Sequence, residues 1–450
     1  SDASDDESAY DPEEDDKGPN FSLINRLNVD KGKSKGKSIS NTTIGPMRDI
    51  GHAPLLSGSV LAQYVKDLVP QYGLIGCNAN EEPKSLGASM FQNTNVPYSA
   101  FICGVQGSGK SHTTACMLEN CLIPSKQLGR LRGPVSALVF SYGEFSNSGK
   151  SFGISEAAHL ASSSKEFPTE RVKRITVLRS PSNPAINNFY QHIPGVKIIP
   201  FKLKAKSLDI GTLLTLMAVN EKSETPLYMA RVESILRAIA TESEDGVFDY
   251  SLFKQKLDLE TFNPAQTNML QMRLGLLESF LDRDDCLPEP RFRPGELTIV
   301  DLSDPFVNAT TACILFKLCL ERFMQSSSPA KMVVLDEAHK RHKGVRVIIS
   351  TQEPTVSTDL IALCSVTFIH RFTSPVWYAA LRKHINAMDN DKEIMQQIEG
   401  LQTGEALVYA PNAVLGMNDD EKIIKATGRL LRLNIRKRVT FDGGDSIMAV

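Results

Sequence analysis

Short apolar runs, rich in β-branched residues, punctuate the chain from residue 97 onward. They are Tyr98–Cys103, Ser136–Phe140, Arg174–Leu178, Val196–Ile199, Leu297–Asp301, Met332–Asp336, Val345–Ile349 and Val366–His370. Each is largely apolar instead of alternating with polar residues, as suits a strand covered on both faces, and helical stretches separate most of them. The pattern predicts an α/β fold, a mostly parallel sheet flanked by helices. Between 203 and 292 the period changes. Leu213–Val219, Tyr228–Thr241 and Thr267–Leu281 carry apolar residues at helical spacing, with no convincing strand, and predict an all-helical insertion.

The chain accordingly divides into a tail (1–45), an N-terminal segment (46–96), a core in two parts (97–202 and 293–415) around the insertion (203–292), and a C-terminal segment (416–450). One join is short. Eight residues, Glu337 to Gly344, separate Asp336 from Val345, whereas a parallel crossover takes about a dozen or more. Either the strands are arranged unusually or a segment is missing near Lys340–Arg341. A missing segment is the favoured explanation, and other spacings are then lower bounds.

Composition sets limits. At 41% hydrophobic and 23% charged residues, the 450-residue chain has an ordinary globular balance. A net charge of −2 gives no overall case for nucleic acid, though a local basic surface remains compatible with it. The 8 cysteines form no C-x-x-C pair and several sit in apolar runs, which reads as buried thiols in a reducing compartment. The histidines show no zinc-ligand spacing. No run of about 18 apolar residues and no signal peptide is present, so the expectation is an intracellular protein, cytoplasmic or nuclear, with no membrane contact. In the tail an acidic run, Asp11 to Asp16, precedes a basic one, Lys31 to Lys37, and few apolar residues lie between. Disorder is expected there. The lysines could touch DNA or direct nuclear import, but a solvated tail is the plainer reading.

Gly104-Val105-Gln106-Gly107-Ser108-Gly109-Lys110-Ser111 fits the phosphate-loop pattern in full and stands between a predicted strand and a predicted helix. Glycines let successive backbone N–H groups turn toward phosphates, Lys110 can bridge the β- and γ-phosphate oxygens, and the Ser111 hydroxyl can ligate Mg²⁺. The following helix adds the positive end of its dipole. The motif implies a P-loop NTPase with a RecA-like sheet, binding ATP through Gly104, Gln106, Gly107, Ser108, Gly109, Lys110, Ser111 and His112.

Met332 to Leu335 end in Asp336-Glu337, the Walker B arrangement of an apolar strand delivering a carboxylate. Asp336 is the candidate for the Mg²⁺ shell and Glu337 for the base that polarises the attacking water. Asp301, at the end of a similar run, is the rival for Mg²⁺ but lacks an adjacent Glu. Asp336-Glu337-Ala338-His339 also spells a helicase box. Only a short stretch follows, with no arginine motif of a second RecA-like domain, so that spelling is taken as incidental. The next run ends in Ser350-Thr351-Gln352-Glu353-Pro354. In a parallel sheet Gln352 would stand beside Asp336 and the phosphate loop, as a γ-phosphate sensor or simply as a polar strand end.

Together, Leu335-Asp336-Glu337-Ala338-His339-Lys340 and the strand ending in Thr351-Gln352 resemble the HerA/FtsK class of P-loop ATPases. Gly295–Ser303 with the helix to Arg322, and Leu401-Gln402-Thr403-Gly404-Glu405-Ala406-Leu407-Val408, resemble the same class. The resemblance covers roughly 97–140 and 293–410. Departures are the short space after Asp336, Glu353 where the class often has arginine, and no clear N-terminal β-barrel in 46–96. The resemblance implies a homo-oligomeric ring, hexamer favoured, in which an arginine of one subunit reaches the neighbour's γ-phosphate. Arg371 is the first candidate and Arg346 the second. It also implies Mg²⁺-ATP hydrolysis driving DNA translocation or remodelling. The other reading is a nucleotide-dependent assembly or switch protein, holding a protein partner through its helical insertion. A small-molecule kinase is disfavoured, because no lid is recognisable.

Overall fold

Eight strands run parallel in one half of a sixteen-stranded sheet, in the order β14-β4-β13-β12-β6-β11-β7-β8. They are β4 (Ser99–Cys103), β6 (Ser136–Ser141), β7 (Arg174–Arg179), β8 (Val196–Pro200), β11 (Glu296–Asp301), β12 (Lys331–Asp336), β13 (Arg346–Thr351) and β14 (Val366–Ile369). This computed structural model describes residues 44–64, 68–82, 85–143, 155–204, 213, 227–242, 248–282, 290–307, 309–336, 345–352, 358–388, 391–418 and 422–443. Residues 1–43 of the tail, Glu337 and most of Leu213–Val219 lie outside the described residues; the tail's last two positions, 44 and 45, open the helix Ile44–His52.

Period-2 geometry sends alternate residues of each strand to opposite faces, so apolar runs feed two cores at once. Ala100, Ile102, Val139, Ile299 and Val334 enter one core; Phe101, Phe140, Val300, Val333 and Ile349 enter the other. The helix Lys110–Leu122 covers the first face. Helices Ala309–Gln325 and Pro375–Arg382 cover the second. Cys103, Cys116, Cys121 and Cys319 are buried free thiols, whereas Cys313 is exposed.

The insertion packs on that second face through Val232, Leu236, Phe253 and Phe280. Its described helices are Leu227–Glu242, Tyr250–Asp258 and Pro264–Ser279. Two begin on side-chain caps. Asp249 accepts from the Ser251 and Leu252 amides, and Asn263 forms a reciprocal capping box with Gln266. The expectation of no strand needs one correction: β9 (Leu203–Lys204) pairs with β10 (Leu281–Asp282) where the insertion leaves and rejoins the core. Two residues per strand are too few to show a period.

Beyond β14 the direction reverses. The order continues β15-β18-β2-β3-β1-β16-β17, mostly antiparallel, with β5 (Gly129–Arg130) against β2. These strands are β1 (Leu55–Ser57), β2 (Tyr72–Asn78), β3 (Ser89–Asn93), β15 (Glu405–Tyr409), β16 (Val414–Met417), β17 (Ile423–Lys425) and β18 (Leu431–Ile435). Segments far apart in sequence thus meet in one ladder, Leu433 opposite Asn78. Gly76 makes the contact possible, since a Cβ there would stand 2.3 Å from the Asn434 carbonyl oxygen.

The chain after β18 then crosses the helix Lys110–Leu122. Arg436 is fully buried and donates to the Glu119 carboxylate at 2.7 Å, to the Cys116 carbonyl at 2.9 Å and to the Leu74 carbonyl at 2.7 Å. Glu119 also accepts from the Thr440 amide at 3.0 Å and the Val439 amide at 3.3 Å. These bonds hold its carboxyl below the ordinary value although burial pushes the other way, with Arg436 and Arg438 the main counterweights. Among the described residues no helix is long and apolar enough to cross a membrane.

Candidate nucleotide site

The site begins where β4 runs out. Cys103 ends the strand, and the next residues turn through positive φ at Gly104 (151°), Gly107 (72°) and Gly109 (107°). Gly104 has a second reason to be glycine: a Cβ would lie 2.6 Å from Ser108 Oγ and 2.7 Å from His370 Cβ. The loop closes on a single carbonyl. Val105 O accepts from the Ser108 amide at 3.2 Å, Ser108 Oγ at 2.7 Å and Lys110 Nζ at 2.8 Å. The helix that follows is capped by Gly109 with no side-chain hydrogen bond, which leaves its first amides open toward the loop.

Register places the acidic strand end beside this loop. Asp336 pairs with Ser350 of β13, and Ser350 pairs with Ile102 of β4. Asp336 therefore lies two strand spacings, each about 4.8 Å, from the strand that opens the loop. The next row pairs Thr351 with Cys103, so Gln352 comes level with Gly104. Gln352 is exposed, and its carbonyl accepts from Trp377 Nε1 at 3.0 Å. Trp377 packs against Phe101 and Phe372, each at 6.2 Å between ring centroids. β12 and β13 are direct parallel neighbours, and their connection, with Glu337 and the Lys340–Arg341 join, lies outside the described residues.

Two alternatives lose their place. Asp301 stands four spacings from β4, is fully buried, and accepts from Tyr190 Oη at 2.6 Å and the Ser303 amide at 3.0 Å. Its distance from the loop and its satisfied buried bonds make it no competitor for a cation there, and burial raises its pKa. Arg346 begins β13, at the opposite edge of the sheet, and donates to the Thr94 carbonyl at 2.6 Å while 5% exposed. Buried and bonded inside its own chain, its guanidinium is not presented to a neighbouring copy.

Arg371 follows β14 on the loop's other side. Its side chain is exposed, and its carbonyl accepts from the Val105 amide at 3.0 Å. Lys110 is 7% exposed, and Ser111 is exposed in the first helical turn. His112 turns its ring toward the C-terminal segment: Nε2 lies 2.8 Å from the Arg436 carbonyl and Nδ1 3.3 Å from Asp442. Burial works against its charge, but Cys116, Asp442 and the Arg436 carbonyl outweigh it and push the pKa up to about 10. Only its backbone is left for phosphate.

Sequence reasoning overlooked His370. It is fully buried beneath the loop, with Nδ1 2.9 Å from the Glu405 carbonyl and Nε2 2.9 Å from Thr113 Oγ1. A carbonyl can only accept, so Nδ1 carries the proton and Nε2 accepts from the Thr113 hydroxyl. Burial, with smaller help from Lys110 and His112, pushes its pKa down to about 4 and keeps it neutral. Burial likewise pushes the Cys103 thiol up, which keeps it protonated beside the loop.

Neither any family model nor any curated protein sequence matches the chain. Among solved structures it is similar to VirB4 of Thermoanaerobacter pseudethanolicus, at 11% identity and a TM-score of 0.45, over 82% of this chain and 96% of that one. It is also similar to the genome packaging NTPase B204 of Sulfolobus turreted icosahedral virus 2 in complex with ATP-gammaS, at 10% identity and a TM-score of 0.26, over 77% and 99%. A third is the pCW3 conjugation coupling protein TcpA, monomer form with ATPgS, at 10% identity and a TM-score of 0.27, over 83% and 67%. TM-scores below 0.5 leave the functional reading to the residues themselves.

Proposed function

We propose that the chain is a Mg²⁺-dependent ATPase of HerA/FtsK type, an oligomeric ring motor, hexameric by preference, that translocates or remodels DNA. The observation that carries the reading is strand order: β13 lies between the phosphate-loop strand β4 and the strand that ends in Asp336. That order brings a cationic loop, a polar strand end and a carboxylate to one edge of the sheet, the parts that phosphoryl transfer to water uses. The residues fit the nucleotide, since a Cβ at Gly107 would meet nothing within 4 Å and the helix amides behind it are uncapped by any side chain.

Each group has its part. The loop amides hold phosphate oxygens, and Lys110 neutralises the charge that grows on them. Ser111 and Asp336 are the residues that would hold Mg²⁺, which would draw charge from the phosphoryl oxygens. Glu337 orients and polarises the water, Gln352 bridges water and γ-phosphate, and Arg371 from a neighbouring copy meets the same oxygens from outside. The DNA part of the reading rests on the resemblance of the Thr351-Gln352 and Leu401–Val408 segments to that class.

Lys110→Ala should abolish productive ATP binding, and wild-type hydrolysis in that variant would overturn the nucleotide assignment. Glu337→Gln should bind ATP and stall. Duplex DNA should bind and stimulate hydrolysis; if it does neither, the motor reading falls and the ATPase stands alone. A mass measurement with and without ATP reports the ring. A second reading has an observation of its own: the insertion exposes Leu259 (83%) and Met272 (76%). Exposed apolar side chains on the insertion favour a nucleotide-dependent assembly or switch protein that docks a protein partner there.

A further inference from the structure

Three bonds tie the phosphate loop, the strand before it and the helix after it to the segment that carries Arg371, and His370 lies beneath two of the loop's glycines. The Val105 amide donates to the Arg371 carbonyl at 3.0 Å, and the His370 amide to the Cys103 carbonyl at 2.8 Å. The His370 ring reaches Thr113, in the first turn of the loop's helix, at 2.9 Å. Its Cβ faces Gly104, and a Cβ at Gly109 would stand 3.5 Å from His370 Cε1. One buried side chain therefore fills the floor under both ends of the loop. Arg371, next in sequence, points its exposed side chain outward.

We infer that His370 is a positioning residue that locks the phosphate loop and the Arg371 segment into one body, so that the nucleotide in one copy sets how Arg371 is offered to its neighbour. The inference rests on the ATPase reading above. A ring with one donor and one acceptor nitrogen, each satisfied, has a single fitting orientation and cannot rotate without leaving a buried polar group unpaired. Strain applied at Arg371 thus reaches Thr113 and the loop through a stiff connection, not through a mobile side chain.

The test measures nucleotide affinity and steady-state hydrolysis of the full-length chain, at concentrations where it assembles. His370→Asn keeps a donor toward Glu405 and gives up the bond to Thr113; Thr113→Val removes the same bond from the other partner. Both should bind ATP within about threefold of the unmodified chain, yet lose roughly 100-fold in kcat, the scale of a misplacement of about 1 Å. Adding Arg371→Ala to either should lower kcat little further, because the arginine is already misplaced. A simple structural brace would lower the melting temperature of both variants and leave kcat of the folded protein, and its dependence on Arg371, unchanged. Additive losses overturn the inference, as does normal kcat in Thr113→Val or no effect of Arg371→Ala alone. Should His370→Asn fail to fold, Thr113→Val decides. Loss of ATP binding in Lys110→Ala alongside additive His370 and Arg371 effects would sink this inference and spare the ATPase reading.

Discussion

The two halves of the sheet meet at β14 and do different work. On the parallel side, the central strands are apolar on both faces and carry the candidate residues Asp336 and Gln352 at or just past their ends. On the antiparallel side, what the strands and the chain beyond them contribute is support. The Glu405 carbonyl holds His370, and Arg436 with Asp442 holds the helix behind the loop. The loop is thus loaded from one side and braced from the other.

The largest effect should come from the brace. Glu119→Ala leaves Arg436 buried without its carboxylate and should lower stability by about 3–5 kcal/mol, read from urea unfolding. A loss below about 1 kcal/mol would mean that the C-terminal segment is not clamped to this helix. Gly76→Ala drives a methyl into the Asn434 carbonyl and should cost about 1–3 kcal/mol by forcing β2 and β18 apart. On the parallel side, Ile348→Val removes one methylene from a fully buried site and should cost about 0.5–1.5 kcal/mol. If it cost as much as Glu119→Ala, the contrast between the halves would collapse.

The smallest effect is a difference of slope. His112, raised to about 10 from its ordinary 6.5, contributes stability that is complete below pH 6.5 and is lost as pH rises toward 10. His370, lowered to about 4, has the opposite sign: its contribution is complete above pH 6.5 and is lost as pH falls toward 4. Asp442→Asn should therefore weaken the chain slightly at pH 6 and flatten the decline between pH 7 and 9. Unfolding midpoints at pH 5, 7 and 9 separate the two, and an unchanged alkaline slope would remove Asp442 from His112.

What was legible in the sequence follows the same division. All eight parallel strands announce themselves as largely apolar runs; in the six from β14 to β11 burial on both faces leaves little polar alternation, whereas β7 and β8 at the sheet edge are partly exposed. The phosphate loop is legible because its glycines, Lys110 and Ser111 are fixed by spacing alone. The antiparallel side was hidden. β2 is interrupted by Gly73 and Gly76, β3 buries Gln92 and Asn93, and β1 and β17 are three residues each. Two of their ladders join positions hundreds of residues apart, Cys77 with Asn434 and Leu56 with Val414, and no local period records that. His370 ends an apolar run and Glu119 stands in a helical stretch, and neither position alone signals its role, since each role depends on a partner that only the fold supplies.

Trp377, the chain's one tryptophan, has a practical consequence. Its indole N–H is bonded to the Gln352 backbone, and its ring lies against Phe101 of the phosphate-loop strand and Phe372 beside Arg371. Indole emission depends on that hydrogen bond and on the packing around the ring. The protein therefore carries one intrinsic fluorophore in contact with the end of β13, with β4 and with the segment beside Arg371, so a rearrangement at any of the three should register in label-free emission.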